Sequence, residues 1–451
     1  MSGYAEYREV NLPWVKAVPA HWEIRRNKNI FTEQKEIVGE RSADYTLLSL
    51  TLNGIIPRDM DGGGKFPESF DKYKIVKNGD MAFCLFDIDE TPRTVGLSGY
   101  NGMLTGAYTI MRVSNINARF IYYYYLALDN GKMLRPLYTG LRKTININTF
   151  QSTKVPVPPR EEQDQIVRFL DWKISGINKL INIKKKGIKA IDALKRSMVS
   201  HTITRGLTAD APMKYSGVKW LGDIPAHWKI TKLRQILHPV SEKNHPEFPL
   251  LSVVREQGVI LRDVEDKEAN HNFIPDDLSG YKVVRKGQFA MNKMKAWQGS
   301  YGVSDYTGIV SPAYFIFDIA FENLEYFHYA IRSKVYVNFF AQASDGIRVG
   351  QWDLQMDKMK EIPFIVPPAD EQIAIVKHIK QALPQYDAAI EKLTEEVAVL
   401  EEYKNKIIAD TVTGKIDVRG IEIPEYDFVD EDNDNVDEKL EQGANKPPEE
   451  E

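Results

Sequence analysis

Residues 361–376 read EIPFIVPPADEQIAIV, and residues 154–167 read KVPVPPREEQDQIV. Each string runs through Val-Pro-Pro into a cluster of carboxylates. Proline cannot continue a helix backward, and early acids favour the positive end of a helix dipole, so both strings open a helix. Gln163 and Gln372 stand at the same place in them, 209 residues apart. The same offset separates TITRG at 202–206 from TVTGK at 411–415, and Pro19-Ala20-His21-Trp22 returns 206 residues later as Pro225-Ala226-His227-Trp228. Between these anchors LLSLTLNGIIPR answers to LLSVVREQGVILR, VKNGDMAF to VRKGQFAM, GAYTI to PAYFI, and TGLR at 139–142 to DGIR at 345–348. The chain is one unit written twice in tandem.

The segment after each Val-Pro-Pro carries a seven-residue apolar repeat. In the second copy Val376, Leu383, Ile390 and Val397 alternate with Ile379, Tyr386, Leu393, Leu400 and Ile407. In the first, Leu170, Ile174, Ile177, Ile181, Ile188, Ile191 and Met198 obey the same rule, interrupted by Lys184. Such a stripe demands a partner helix. From 161 to 205 ten basic residues face five acidic ones, whereas from 370 to 413 five basic residues face nine acidic ones. Opposite charges favour pairing of the two helices with each other, the alternative being that each docks on its own domain. Pro384 is expected to kink the second helix, and Gly176 and Gly187 to weaken the first by about 1 kcal/mol each. A helix of this length reaches about 65 Å at about 1.5 Å per residue.

Ahead of each helix lie β-rich runs such as YTLLSLTL, MAFCLF, YTIMRV, PLLSVV and AYFIFDI, broken by Gly, Asn, Asp and Pro. Short helical stretches, RFIYYYYLAL and ENLEYFHYAIRS, come next at matching positions. The fold class expected is therefore α+β: two tandem α/β domains separated by two long antiparallel coiled-coil helices with a pseudo-two-fold axis. The boundaries read as a first domain over 1–155, a central helix over 156–206, a second domain over 207–364, a distal helix over 365–415, and an acidic, disordered tail over 416–451.

Charge sharpens this division. The last 31 residues hold 13 acids against Lys439 and Lys446, a local charge of −11, which leaves +7 on residues 1–420 of a chain whose total is −4. A basic body suits a polyanionic partner. The tail, poor in apolar residues, reads as a solubilising segment or as an internal polyanion that competes for a basic surface. A single cysteine, Cys84, excludes an intramolecular disulfide and a thiolate metal site. The lack of a long apolar run and of an export-type N-terminus gives a cytoplasmic expectation.

Catalytic apparatus is missing. There is no Gly-x4-Gly-Lys-Ser/Thr loop (DGGGKF at 61–66 reads as a turn), no His-Glu-x-x-His, no Gly-x-Ser-x-Gly, and no Asp/Asn-Pro-Pro-Tyr/Phe of the kind adenine methylation would need. His21 and His227 lack a second ligand at metal spacing and read as packing residues. The pattern is that of a reader without a reaction centre.

The phrases WVKAVPAHWEIRRNKNIF and KWLGDIPAHWKITKLRQIL, VPVPPREEQDQIVRFLD and FIVPPADEQIAIVKHI, and GIVSPAYFIF with DGIRVGQWDLQMDKMKEIPFIVPP together resemble the specificity subunit of type I restriction–modification systems, over residues from about 13 to 420. The resemblance implies that each globular domain is a target-recognition domain reading half of a split, asymmetric DNA site, with the helices as a ruler for the gap. It implies two methylation subunits as partners, restriction subunits beyond them, and no cofactor in this chain, S-adenosylmethionine and ATP/Mg residing on the partners.

Base reading needs forked or amide side chains on exposed loops, and phosphate binding needs a reachable cation. The recurrent Gly-x-Arg loops nominate Arg142 with Lys143, and Arg348. The stretch MNKMKAWQGSYG at 291–302 nominates Asn292, Lys293, Lys295, Trp297 and Gln298, and its counterpart FDIDETPRTVG offers Arg93. Arg58 and Arg262, after the recurrent Ser-Leu and Ser-Val strands, form a further pair; for each arginine a surface salt bridge is the competing reading. Pro158, Pro159, Gln163, Pro367, Pro368 and Gln372 are candidates for docking the methylation subunits, although helix capping would explain them equally well. The rival functions are a duplicated scaffold for protein or carbohydrate, favoured by 22 Tyr and 7 Trp, and a self-contained nuclease or methylase.

Overall fold

The computed structural model describes residues 2–58, 67, 69–138, 143–263, 274–275, 277–348 and 351–431. The stretch 61–66 and Arg142 lie outside them. Among the described residues the α-helices are α1 (Ala118–Asn130), α2 (Ile147–Ser152), α3 (Arg160–Arg205), α4 (Leu324–Ile331), α5 (Lys334–Gln342), α6 (Met356–Lys360) and α7 (Ala369–Val412). The chain divides into two compact units. Described residues 2–186 and 393–431 form the first, and 187–392 form the second. Each long helix therefore contributes one part to each unit.

In the first unit the central sheet has four antiparallel strands in the order Phe31–Gln34, Thr109–Val113, Asp80–Phe83, Val95–Leu97. In the second the order is Leu237–Val240, Tyr314–Ile319, Phe289–Asn292, Tyr301–Val303. A hairpin flanks each: Leu48–Thr51 with Gly54–Pro57, and Leu251–Val254 with Gly258–Leu261. Identical topology from recurrent phrases is what a duplication requires. Apolar residues of these runs face inward, with Phe31, Met81, Phe83 and Met111 buried in one unit and Phe289, Met291 and Phe317 in the other.

The phrases that recur together also pair together. Lys154–Val157, just ahead of the first Pro-Pro, is antiparallel to Glu23–Arg26, which comes directly after the first His-Trp. Pro363–Val366 pairs with Lys229–Lys232 in the same way. Each repeated motif is thus one half of a two-stranded ribbon that hands the chain into a long helix.

The apolar stripes find their partners within each unit. In the first, Leu170, Ile177 and Ile181 of α3 share a core with Val397, Ile407 and Val412 of α7, and Lys184 pairs with Glu396. Asn178 meets Lys404 further along, so there the helices run antiparallel. In the second unit Val199 and Ile203 share a core with Ile375, Val376, Ile379 and Leu383, and Lys195 lies 2.5 Å from Asp387. The opposite charges expected on the two helices are joined at these bridges. Pro384 is exposed, and α7 continues through it as one element.

Residues 416–431 depart from expectation. They take a defined path against the first unit, where Val418 is fully buried and the carbonyls of Val418 and Ile421 accept hydrogen bonds from Gln165. Few apolar residues argue for disorder only when no polar surface is prepared for the main chain, and here one is.

Candidate nucleic-acid interface and helix junctions

Each junction is built on a carboxylate one residue before the recurrent glutamine. Glu162 accepts hydrogen bonds from Tyr4 Oη (2.6 Å) and Trp22 Nε1 (2.9 Å), and its second oxygen lies 2.7 Å from His21 Nε2. Glu371 accepts from Trp228 Nε1 (3.0 Å) and pairs with His227. The His-Trp motif is thus a two-pronged clasp on the first turn of the next long helix. Trp22 and Trp228 are the packed members of the pair, whereas His21 and His227 are exposed and meet the carboxylate from the surface side. The first turn's acids, read only as dipole partners, concealed the clasp, and the shared offset of Glu162 and Glu371 was the available signal.

The clasp is tightened where the helices end. Gly206 and Gly414, both with left-handed φ (72° and 76°), stand just past α3 and α7, and a Cβ at either would come within 3.0–3.2 Å of the Trp228 or Trp22 ring, that at Gly414 also within 2.4 Å of Pro19. Only glycine fits such a left-handed cap against an indole.

Gln163 and Gln372 are buried and spent inside the fold. Their amides donate to the carbonyls of Pro158 and Pro367, each at 2.8 Å, and Gln163 Oε1 also accepts from Asn117 N–H. Pro158 and Pro367 are buried as well, whereas Pro159 and Pro368 are exposed. Of the six docking candidates, these two prolines alone present a surface.

In the second unit the strand Phe289–Asn292 delivers the candidate reading loop. Asn292 Nδ2 donates to Tyr314 Oη (3.2 Å), and Lys293 Nζ lies 3.2 Å from Asp353 Oδ2. Lys295 is exposed, while Trp297 and Gln298 are half-buried. Trp297 stacks on Trp352 with ring centres 5.4 Å apart. The stack fastens this loop to the hairpin Ser344–Arg348/Gln351–Leu354, on which Arg348 sits in register with Gln351. Leu354 N–H donates to the Lys293 carbonyl at the same seam. Two sequence-distant groups of candidates therefore occupy one edge. The Trp297 indole N–H and Asp353 Oδ1 are buried there without a hydrogen-bond partner among the described residues.

The first unit joins the equivalent segments, since Phe86 bridges Thr144 and Asp87 N–H donates to the Lys143 carbonyl. Its cations are differently engaged. Lys143 pairs with Glu90 (2.5 Å) and Asp89 (3.2 Å), which push its pKa up. A hydrogen bond from Tyr138 Oη, assisted by Lys143, holds Asp89 at about 2. Arg93, at 15% side-chain exposure, bonds Asp129 and Asn130. For Arg93 the competing salt-bridge reading therefore describes the geometry. Arg58 is exposed and Arg262 half-buried. Their backbone N–H groups donate to Leu47 and Leu250, so they sit at equivalent ends of the two hairpins.

A model of the type I restriction modification DNA specificity domain matches residues 70–190. Over 446 residues, 92% of this chain and 98% of the relative, the sequence is 24% identical to the type I restriction enzyme MjaVIII specificity subunit of Methanocaldococcus jannaschii. The putative MjaX specificity subunit of the same organism is 23% identical over 448 residues, with the same shares covered. Among solved structures, a chain from a study of complex assembly and conformational transition of the type I R-M system superposes with a TM-score of 0.56 at 13% identity, covering 88% of this chain and 99% of that one.

Proposed function

We infer that this chain, a member of the type I restriction–modification specificity family, is the DNA sequence-reading subunit of such a system and is itself non-catalytic. The observation that carries the reading is the paired architecture: two units of one strand order, each clasped by His-Trp to a long helix, in a chain related along nearly its whole length to specificity subunits. Two like units suit a bipartite site on a duplex, whose own symmetry presents two major-groove faces in equivalent orientation.

In this reading the edge formed by residues 291–298 and the Ser344–Arg348/Gln351–Leu354 hairpin reads one half-site. Lys295 supplies phosphate attraction, and Asn292, Gln298 and Arg348 supply amide or guanidinium donors for base edges. The corresponding segments 85–93 and 143–145 serve the other half, with Asp89 and Glu90 limiting how many cations that edge presents. The two long helices set the unread gap. Methylation subunits, bearing S-adenosylmethionine, dock along them near exposed Pro159 and Pro368, and restriction subunits bring ATP/Mg. No helix among the described residues is long and apolar enough to cross a membrane. The proposed place of action is the cytoplasm, with the DNA.

The test is to sequence methylated sites in cells carrying the chain with its partner genes. An asymmetric two-part motif is expected. Arg348→Ala and Lys295→Ala should each relax or weaken one half and leave the other unchanged. Each lost contact should cost about 1–3 kcal/mol of discrimination if it is to a base, and a sequence-independent loss if it is to phosphate. Equal loss on both halves would overturn the assignment.

A further inference from the structure

Ser175, Asn178 and Asn182 stand on successive turns of α3 and are polar yet buried, at 3%, 5% and 6% exposure. Buried polar side chains persist where their hydrogen bonds are made. Here the partners come from the main chain of one extended segment. Ser175 Oγ donates to the Asp427 carbonyl (3.0 Å) and accepts from Val429 N–H (2.9 Å). Asn178 Nδ2 donates to the Val429 carbonyl (3.2 Å) and Asn182 Nδ2 to that of Asp430 (2.9 Å). Next along the segment, Glu431 meets Lys185 of α3 at 3.2 Å and Lys404 of α7 at 2.6 Å. Burial raises the Glu431 pKa, but the two ammonium groups outweigh it and keep the carboxyl below its ordinary value.

The second copy shows what the first has exchanged. At an offset of 209 residues, Ser175, Asn178 and Asn182 become Pro384, Asp387 and Glu391, and Lys404 corresponds to Lys195. In the second unit Lys195 is paired with Asp387, an acid belonging to the helices themselves. In the first, that acid is replaced by the amide of Asn178, whose Oδ1 is 3.4 Å from Lys404 Nζ. The carboxylate that Lys404 takes is Glu431, delivered from the C-terminal segment. An internal ion pair has become an amide ladder with an open cation at its end.

We propose that the groove between α3 and α7 in the first unit is a binding site for an extended acidic segment, and that its occupant is residues 426–431 of this chain, held as an exchangeable strap. Recognition rests on main-chain groups and the Glu431 side-chain carboxylate, so the segment is gripped for its extended shape and charge. The strap makes the two helix faces unequal: the second copy lacks the ladder residues, with Pro384, Asp387 and Glu391 in place of Ser175, Asn178 and Asn182. This inference goes beyond the DNA-reading function and does not depend on it.

The experiment uses the full chain. In hydrogen exchange read by mass spectrometry, the amides of 427–431 should exchange at least about tenfold more slowly than an unstructured peptide. Asn178→Ala with Asn182→Ala should erase that protection while α1 keeps its own, which controls for misfolding. Val429→Pro removes the N–H that meets Ser175 and lies outside every helix, so it frees the strap without touching the groove. A fluorescent peptide of residues 421–431 should then bind the Val429→Pro chain at least about tenfold more tightly than the unsubstituted chain, whose groove is filled, and less tightly as salt rises. The triple variant carrying all three changes should not bind it. Unprotected amides in the unsubstituted chain, equal peptide binding to both chains, or no binding to Val429→Pro would each overturn the proposal.

Discussion

Glu162 gathers Tyr4, Trp22 and His21 on one carboxylate. Glu162→Ala leaves the Trp22 N–H and Tyr4 O–H in the core without an acceptor, which should cost about 2–4 kcal/mol in urea unfolding of the first unit. Glu371→Ala should cost less, since Glu371 receives Trp228 and His227 alone and its side chain is 32% exposed. Equal losses would contradict a burial-based account. The clasp was half legible beforehand. A repeated His-Trp announces a shared role, but the carboxylate that answers it lies more than 140 residues away. Arg93 shows the opposite limit: an arginine in a polar loop reads as exposed until Asp129, buried on α1, is seen beneath it.

The long helices were the most legible elements, because periodicity over several heptads leaves few alternatives. Every stripe position in α7 from Val376 to Ile407 is buried or half-buried, and the opposite charges of the two segments meet at Lys184–Glu396 and Lys195–Asp387. If these helices fix the gap, inserting one heptad into each at an exposed register should lengthen it. Seven residues add about 10.5 Å, or about three base pairs at about 3.4 Å each, as read from the methylated motif. An unchanged gap would remove the ruler role. The acidic segment was illegible for a physical reason. Composition reports what a segment can bury, and residues 426–431 are held by what Ser175, Asn178 and Asn182 offer their backbone.

For the molecule as a whole, the two units should respond differently to acid. Burial, and then the Arg332 charge, lower the His328 pKa to about 4 in the second unit. Folded protein then binds fewer protons than unfolded chain between about pH 4 and the ordinary histidine value of about 6.5, so stability rises with pH across that window and is lost as pH falls through it. The second unit should lose about 2 kcal/mol on going from about pH 7 to about pH 4.5, and His328→Gln should abolish that part of the slope. DNA affinity should fall steeply with salt, as the +7 on residues 1–420 implies. A flat salt response would favour a carbohydrate or protein ligand instead.

In the first unit the segment ahead of the first His-Trp meets the segment beyond α7: Tyr7 Oη donates to the Gly414 carbonyl, and Asp417 N–H donates to the carbonyl of Ser2. During synthesis residues 187–392 emerge as a complete set before residues 393–431, which the first unit still needs. Maturation on the ribosome therefore runs backward relative to the reading frame. A chain cut after residue 392 would keep every described residue of the second unit and lack the part of α7 that completes the first.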